Sequence, residues 1–593
     1  MKREKIEEKY KWRDSDLFAS RDEFVAECDR VKIMLRKLTN YQGKLNTDKN
    51  ILKFFNLENE LNRKLERIII FAYMRKSVEG NDPSNLEMGQ MAQDISVKVS
   101  EALAFADPEI SSLPNDQIKG LIADPAFTDF KRDLEFVIKN KPHVADAQTQ
   151  KLVSGAGAFA DFEDIFSQLS NIEMPIKDIV TAEGKKLTLT NANYSKFMRS
   201  SDRDIRRQAY ENYYAAFASL NLTYSNLYTN TLKYENFLVK AFNFKGNFER
   251  TNFYEEVPQK LIETMLECVH EALPTFAKLQ SIRKKVLGID TLRYFDTFAP
   301  LTTGKEPKFT ISRGADAIEK SLEVIGADYI DLVRHALNDR WVDLYPTPNK
   351  DSCSYCISCF DAHPYILTNY NNTLEAVSTL SHELGHAMQA YLASKQQPYN
   401  LAEAPSLTCE IASTVNEILT KKYLLDKAQT NEQKLLIIDS LLGDFYGAIF
   451  KQSMYTEFEL YANDQVEKGE SLSFDKLNSY YKGLIEKYFG KDLAATPNCE
   501  VEWSRLPHLY SPFYVYKYVV GFVSACIICG KLLSGDKDYK EKYLEFLKAG
   551  SSKSPLELLK LAEVDIMDAA TYKQAFKLYE LYIDELKELL GEN

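Results

Sequence analysis

Apolar residues recur at spacings of three and four over long stretches of this chain, and that period confines most of it to helices packed on helices. Between residues 20 and 45 the pattern runs through Phe24, Val25, Cys28, Val31, Met34 and Leu35. Between 48 and 80 it runs through Leu57, Leu61, Leu65, Ile68, Ile69 and Tyr73, with charge on the opposite face. Asp82-Pro83 and Leu113-Pro114-Asn115 punctuate further helices. The period changes to two only twice. Around Ile179 to Thr190 it does so across a Glu183-Gly184 turn, which predicts a β-hairpin. Between Trp341 and Asn369 it does so again, and His363-Pro364-Tyr365-Ile366-Leu367 reads as an edge strand, because proline cannot donate to a ladder. Past the hairpin, Asp202 to Ala241 reads as one long helix whose tyrosines (Tyr210, Tyr213, Tyr214, Tyr224, Tyr228) are expected to pack, and Pro258 opens a helix running to about Leu287.

Composition narrows the class. With 45% hydrophobic and 12% aromatic residues, 593 positions are ample for a large core, and no low-complexity linker divides them. Lys+Arg 74 against Asp+Glu 86 leaves a net charge of −12, which argues against nucleic acid or an anionic membrane as the main partner. The N-terminal Met1 to Glu8 has no apolar core of a secretory signal, and the apolar run Tyr518 to Gly530 is too short to span a bilayer. Nine cysteines, an odd number, suggest free thiols in a reducing compartment, so a cytoplasmic location is expected.

Chemistry concentrates in Leu380-Ser381-His382-Glu383-Leu384-Gly385-His386, with Glu410 following 24 positions after His386. Helical positions i and i+4 share a face, so His382 and His386 can aim two imidazoles at one ion. Neutral imidazole nitrogen suits zinc, and a carboxylate completes a three-ligand hydrolytic site with one position open. Glu383, one step round, is placed to act as general base on a water that the zinc activates. The chain has only seven histidines, and two fall at this spacing. Glu417, seven residues past Glu410, is a candidate to accept the second N–H of a ligand imidazole, against the plainer reading of a solvent-facing or helix-pairing glutamate. A second cluster, Trp503 to Tyr518, offers imidazole and phenol donors for a tetrahedral oxyanion: His508 and Tyr516 first, then Tyr514 and Tyr510.

Taken together, His382 to His386 with Glu410-Ile411-Ala412-Ser413-Thr414, the preceding His363 to Asn371, and Pro512 to Tyr518 resemble oligoendopeptidase F, a branch of the thimet-oligopeptidase-like (M3) zinc metallopeptidases. Weaker resemblance extends to Ser201 to Arg206, Tyr254 to Pro258 and Tyr10-Lys11-Trp12. The resemblance implies a mainly α, two-lobed ellipsoid with a deep channel and a small β-sheet beside the zinc helix. It implies one zinc per chain on His382, His386 and Glu410, Glu383 as base and acid, and His508 and Tyr516 gripping the substrate carbonyl and oxyanion. Tyr510, Tyr514, His363 and Tyr365 are expected substrate contacts, the last two from a free strand edge that an extended peptide could join. Residues 1–190 are expected to form an N-terminal helical region ending in the hairpin, and 191–593 the catalytic region. The function expected is endopeptidase cleavage of short unstructured peptides. The alternatives are a peptidyl-dipeptidase or carboxypeptidase of a related branch, or a non-catalytic peptide-binding protein. Cys353, Cys356 and Cys359 stand where relatives carry glycines; the fourth cysteine of an iron–sulfur run is missing, and strand alternation would place Cys356 opposite the other two.

Overall fold

The computed structural model describes residues 2–157, 160–302, 306–536 and 538–591, and helices dominate it, as the apolar period requires. In chain order the elements used below are α1 (Arg21–Thr39), α2 (Asp48–Val78), α3 (Pro83–Leu103), β1 (Ile179–Val180), β2 (Lys186–Leu187), α4 (Arg203–Ser219), α5 (Asn221–Ala241) and α6 (Gln259–Val286). They continue with β3 (Val342–Asp343), β4 (Tyr355–Ile357), β5 (Tyr365–Leu367), α7 (Leu374–Gln396), α8 (Cys409–Lys427), α9 (Gln452–Glu467), α10 (Tyr516–Leu533) and α11 (Tyr539–Lys548). Local chemistry sets many of the ends. Ser20 accepts the Glu23 N–H while the Glu23 carboxylate takes that of Ala19, starting α1. Asp82 caps α3 with Pro83 at its first position.

The chain divides into two compact units, each built from three stretches. One holds Met1–Val144, Pro307–Leu424 and Ile528–Val564; the other holds Ala145–Glu306, Leu425–Ile527 and Asp565–Asn593. Both therefore draw on residues from either side of position 190.

In the first unit, α1, α2 and α3 pack through Phe24, Val31, Leu38, Phe54, Leu61, Met88 and Ile95, all buried. A three-stranded sheet of order β3-β5-β4 lies against α7. Here the strand expectation needs correction. The segment after His363 supplies β5, the central strand, parallel to β3 and antiparallel to β4. Pro364 falls just before the first paired residue and costs no ladder bond, so proline did not mark an edge. The edge strand beside the functional residues is β4.

In the second unit β1 and β2 form the expected hairpin, with Gly184 at φ +79° in its turn. The expected long helix is two, α4 and α5, parted at Leu220. Ser219, just before the break, turns its hydroxyl back onto the Ala216 carbonyl. The tyrosine stripe is packing, as expected: Tyr210, Tyr213, Tyr214, Tyr224 and Tyr228 are all buried. Deep in this unit the Glu502 carboxylate accepts from Lys451, Tyr294 and Tyr481, a satisfied polar network. Among the described residues, only α10 is long and apolar enough to cross a membrane, and 72% of it is buried inside the protein.

Candidate metal centre

Helix α7 begins where Thr373 accepts the Ala376 N–H, and it carries His382, Glu383 and His386 past α8. Gly385 allows the two helices to approach. A Cβ there would stand 2.5 Å from the Ala412 carbonyl oxygen and 2.5 Å from the Ser413 Cα. The crossing is tied by polar bonds: Ser381 Oγ donates to the Asn416 carbonyl at 3.1 Å, and Asn416 Nδ2 returns to the Ser381 carbonyl at 3.3 Å. Tyr329 Oη donates to the Asn416 side chain at 2.9 Å.

This contact brings Glu410 to the histidines. Its Oε2 lies 3.4 Å from His382 Nε2 and 3.4 Å from His386 Nε2. The three donors form the one His/Cys/Asp/Glu group able to hold a metal among the described residues. Ligand bonds of about 2.0–2.2 Å set tetrahedral neighbours about 3.3–3.5 Å apart, so the spacing and the N, N, O chemistry fit zinc with one position left open.

Glu417 decides which imidazole nitrogen faces Glu410. Its Oε2 lies 3.3 Å from His382 Nδ1, while its Oε1 accepts from Ser378 Oγ at 2.6 Å and Lys421 Nζ at 2.9 Å. A carboxylate on Nδ1–H leaves Nε2 free as a ligand. The helix-pairing alternative for Glu417 is in part also realised, through Ser378.

The electrostatics favour positive charge at this point. Burial opposes a charged His382, but the carboxylates of Glu410 and Glu417 outweigh it and raise the imidazole to about 10. Burial would raise Glu410, yet the hydrogen-bonded His382 and His386 hold it well below the usual carboxylate range. Glu417 is lowered likewise: Lys421 and His382 overcome its burial. Glu383, 6% exposed, is pushed up by burial against the pull of both histidines.

A cavity of about 740 Å³ opens onto the centre. His382, Glu383, His386 and Glu410 line it, the edge strand β4 forms another part of its wall, and Glu66, Tyr399, Asn400 and Glu403 also face it. The strand edge that faces the cavity is thus that of β4. His363 and Tyr365 are placed elsewhere. The His363 ring stacks on Trp341 at 4.7 Å and meets Asp16 Oδ2 at 3.0 Å, and Tyr365 is fully buried against Trp12. Both are absent from the cavity lining and act in packing. The three cysteines are dispersed: Cys353 is exposed, while Cys356 and Cys359 both line the cavity. The expected alternation fails because β4 spans only three residues. Burial pushes the Cys356 thiol up strongly, and the Cys359 thiol to about 12.

The second cluster belongs to the other unit. His508 Nε2 lies 3.4 Å from Tyr518 Oη, and its ring stacks on Tyr514 at 6.0 Å. Burial lowers its pKa, favouring the neutral imidazole. Tyr510 packs against Phe166 at 4.7 Å. Tyr516 is fully buried, and its hydroxyl donates to Asn252 Oδ1 at 2.6 Å. Tyr518, the partner of His508, was not singled out from sequence. Neither was Ser378, whose role depends on a helix elsewhere in the chain, nor Lys421, for which the i,i+4 spacing from Glu417 was the available signal.

Comparison with known proteins accords with this geometry. The family model "Peptidase family M3" matches residues 196–578, and "Oligopeptidase F" matches 109–175. Oligopeptidase PepF of Bacillus subtilis is 29% identical over 582 residues, covering 98% of this chain and 87% of its own. An oligoendopeptidase F homolog of Borreliella burgdorferi is 30% identical, covering 99% of each chain. The crystal structure of oligoendopeptidase-F from Enterococcus faecium superposes with a TM-score of 0.75 at 25% identity, covering 96% of this chain and 99% of that one. With the two histidines and the glutamate converging as they do, the chain belongs to peptidase family M3 and is a metalloendopeptidase of the oligoendopeptidase F branch.

Proposed function

We propose that the chain is a zinc-dependent endopeptidase, with one zinc per molecule, that hydrolyses internal bonds of short unstructured peptides. The observation that carries this reading is the 3.4 Å convergence of His382 and His386 on Glu410 beside Glu383, in a cavity walled by a free strand edge. The relatives' names, oligopeptidase and oligoendopeptidase, support short peptides as substrates. Zinc, when bound, supplies Lewis acidity toward water and the peptide carbonyl.

The chain's own residues do the rest. His382, His386 and Glu410 hold the ion, and Glu417 keeps the His382 Nδ1–H engaged. Glu383 accepts a proton from the attacking water on its carboxylate and passes it to the leaving amine; its raised pKa makes it a better base than an exposed glutamate. The β4 backbone aligns an extended peptide. His508, whose burial favours the neutral imidazole, is assigned the substrate carbonyl. Tyr516 is assigned the oxyanion by the same family resemblance; its hydroxyl donates to Asn252 in this structure. The nine cysteines, all free among the described residues, support a reducing compartment, and we place the protein in the cytoplasm.

The test is mass spectrometry of products from unstructured peptides of about 8 to 40 residues, with zinc-loaded, chelator-treated and Glu383→Gln protein. Internal cuts confined to the shorter peptides, lost on chelation and restored by zinc, are expected. The Glu383→Gln protein is expected to bind zinc as the parent does and to lose about 10³-fold or more in kcat. Release of terminal dipeptides would move the chain to another branch. Parent-like turnover by the Gln variant would remove Glu383 as the base.

A further inference from the structure

The charges around the cavity do not balance. Its lining includes four carboxylates, Glu66, Glu383, Glu403 and Glu410, and no lysine or arginine. A divalent ion at the metal centre offsets Glu383 and Glu410, the two that stand beside it. Glu66 and Glu403 are left over, in a different part of the wall with Phe360, Tyr399 and Asn400.

Glu66 is in no ion pair among the described residues. Arg63, which acts on it electrostatically, is turned onto Asp361 while its guanidinium lies over the Phe360 ring at 5.2 Å. Glu66 accepts one hydrogen bond, from the Phe360 N–H at 3.1 Å. Its burial, with Asp361 and Glu403 nearby, pushes it up to about 7. No ion pair involves Glu403 among the described residues. Tyr399 adds an aromatic wall, edge-on to Phe360 at 5.4 Å. Paired carboxylates beside an aromatic ring suit an ammonium or guanidinium group, which gains both ion pairing and a π face. Glu383, nine-tenths buried and aimed into the same cavity with no side-chain hydrogen bond of its own among the described residues, marks this space as the one a peptide enters.

We infer that Glu66 and Glu403 form a cation-accepting subsite of the peptide cavity, so that the enzyme selects peptides presenting an ammonium or guanidinium group at a fixed distance from the scissile bond. The inference rests on the peptidase reading above. The cation has two sources in a peptide, a Lys or Arg side chain or the free α-amino terminus.

The experiment measures kcat/KM of zinc-loaded, full-length protein on a peptide scanned with lysine against norleucine at each position, in free and N-acetylated forms. A preference for lysine of about tenfold or more at one position is expected, or, if the α-amino group is the source, a similar loss on acetylation. The ratio should fall in Glu66→Gln and in Glu403→Gln and approach one in the double variant. Glu403 is exposed, so its variant reports even if Glu66→Gln folds poorly. Cleavage with no preference for a cation, or a preference surviving in the double variant, overturns the inference and leaves the peptidase reading standing. Failure to cleave any peptide overturns both.

Discussion

A carboxyl group holding a single hydrogen bond inside a protein titrates far from where water would set it, and Glu459 on α9 is such a group. It is 1% exposed, accepts the Phe513 N–H at 2.5 Å, and is pushed by burial from 4.5 to about 8. Phe513 itself sits at φ +54°, in the left-handed region that a bulky residue enters only under constraint. Between pH 4.5 and 8 the unfolded chain loses this proton while the folded chain keeps it. The folded state then binds more protons, so stability falls as pH rises through that window and levels off above about 8. Glu66, raised to about 7, acts in the same direction. Thermal unfolding of metal-free protein from pH 5 to 8.5 is expected to show this decline, and Glu459→Gln, which keeps the acceptor without the proton, should make it shallower, leaving the shares of Glu66 and His382. An unchanged slope in the variant would mean that Glu459 ionises normally. Nothing in the local sequence marks Glu459 as buried and protonated. His382, Glu383 and His386, by contrast, were legible at once, because their relation is fixed by the helical turn they share.

Elements were legible to the extent that their causes are local. Apolar spacing placed α1 and α2, the Asp82-Pro83 breaker marked the boundary at which α3 begins, and the Glu183-Gly184 turn placed the β1–β2 hairpin. What depended on a partner was not. Proline near β5 suggested an edge, yet strand order is settled by β3 and β4 arriving on either side. The α4–α5 break carries neither glycine nor proline. The α7–α8 crossing is the most consequential case, since Gly385 looks like an unremarkable motif residue until the Ala412 backbone is set against it. Gly385→Ala should therefore force two backbones apart, with a loss of about 1–3 kcal/mol in denaturant unfolding and a weaker hold on zinc in a chelator competition. Parent-like stability and affinity together would show that the crossing can relax.

For the whole molecule, the three proposed metal ligands and the carboxylate behind His382 all lie in the first unit. Zinc added to stripped protein should slow amide exchange in α7 and α8 and raise the unfolding temperature, by the equivalent of about 2.7 kcal/mol at a free concentration one hundred times Kd. No slowing in those two helices would argue against ligation there. The compact units themselves were not legible as such, because their boundaries are set by which distant stretches pack together and not by any linker.

The threefold division of each unit has a consequence for how the protein is made. Helix α7 carries its histidines out of the ribosome long before α11, whose Lys548 carbonyl accepts from Gln397 just past the end of α7. The stretch that closes the first unit ends at Val564, and the second awaits Asp565–Asn593. Vectorial synthesis thus exposes the motif early and completes its scaffold late. A chain released short of Ile528 lacks the last piece of both units, so the scaffold behind the motif closes only once Ile528–Val564 has emerged.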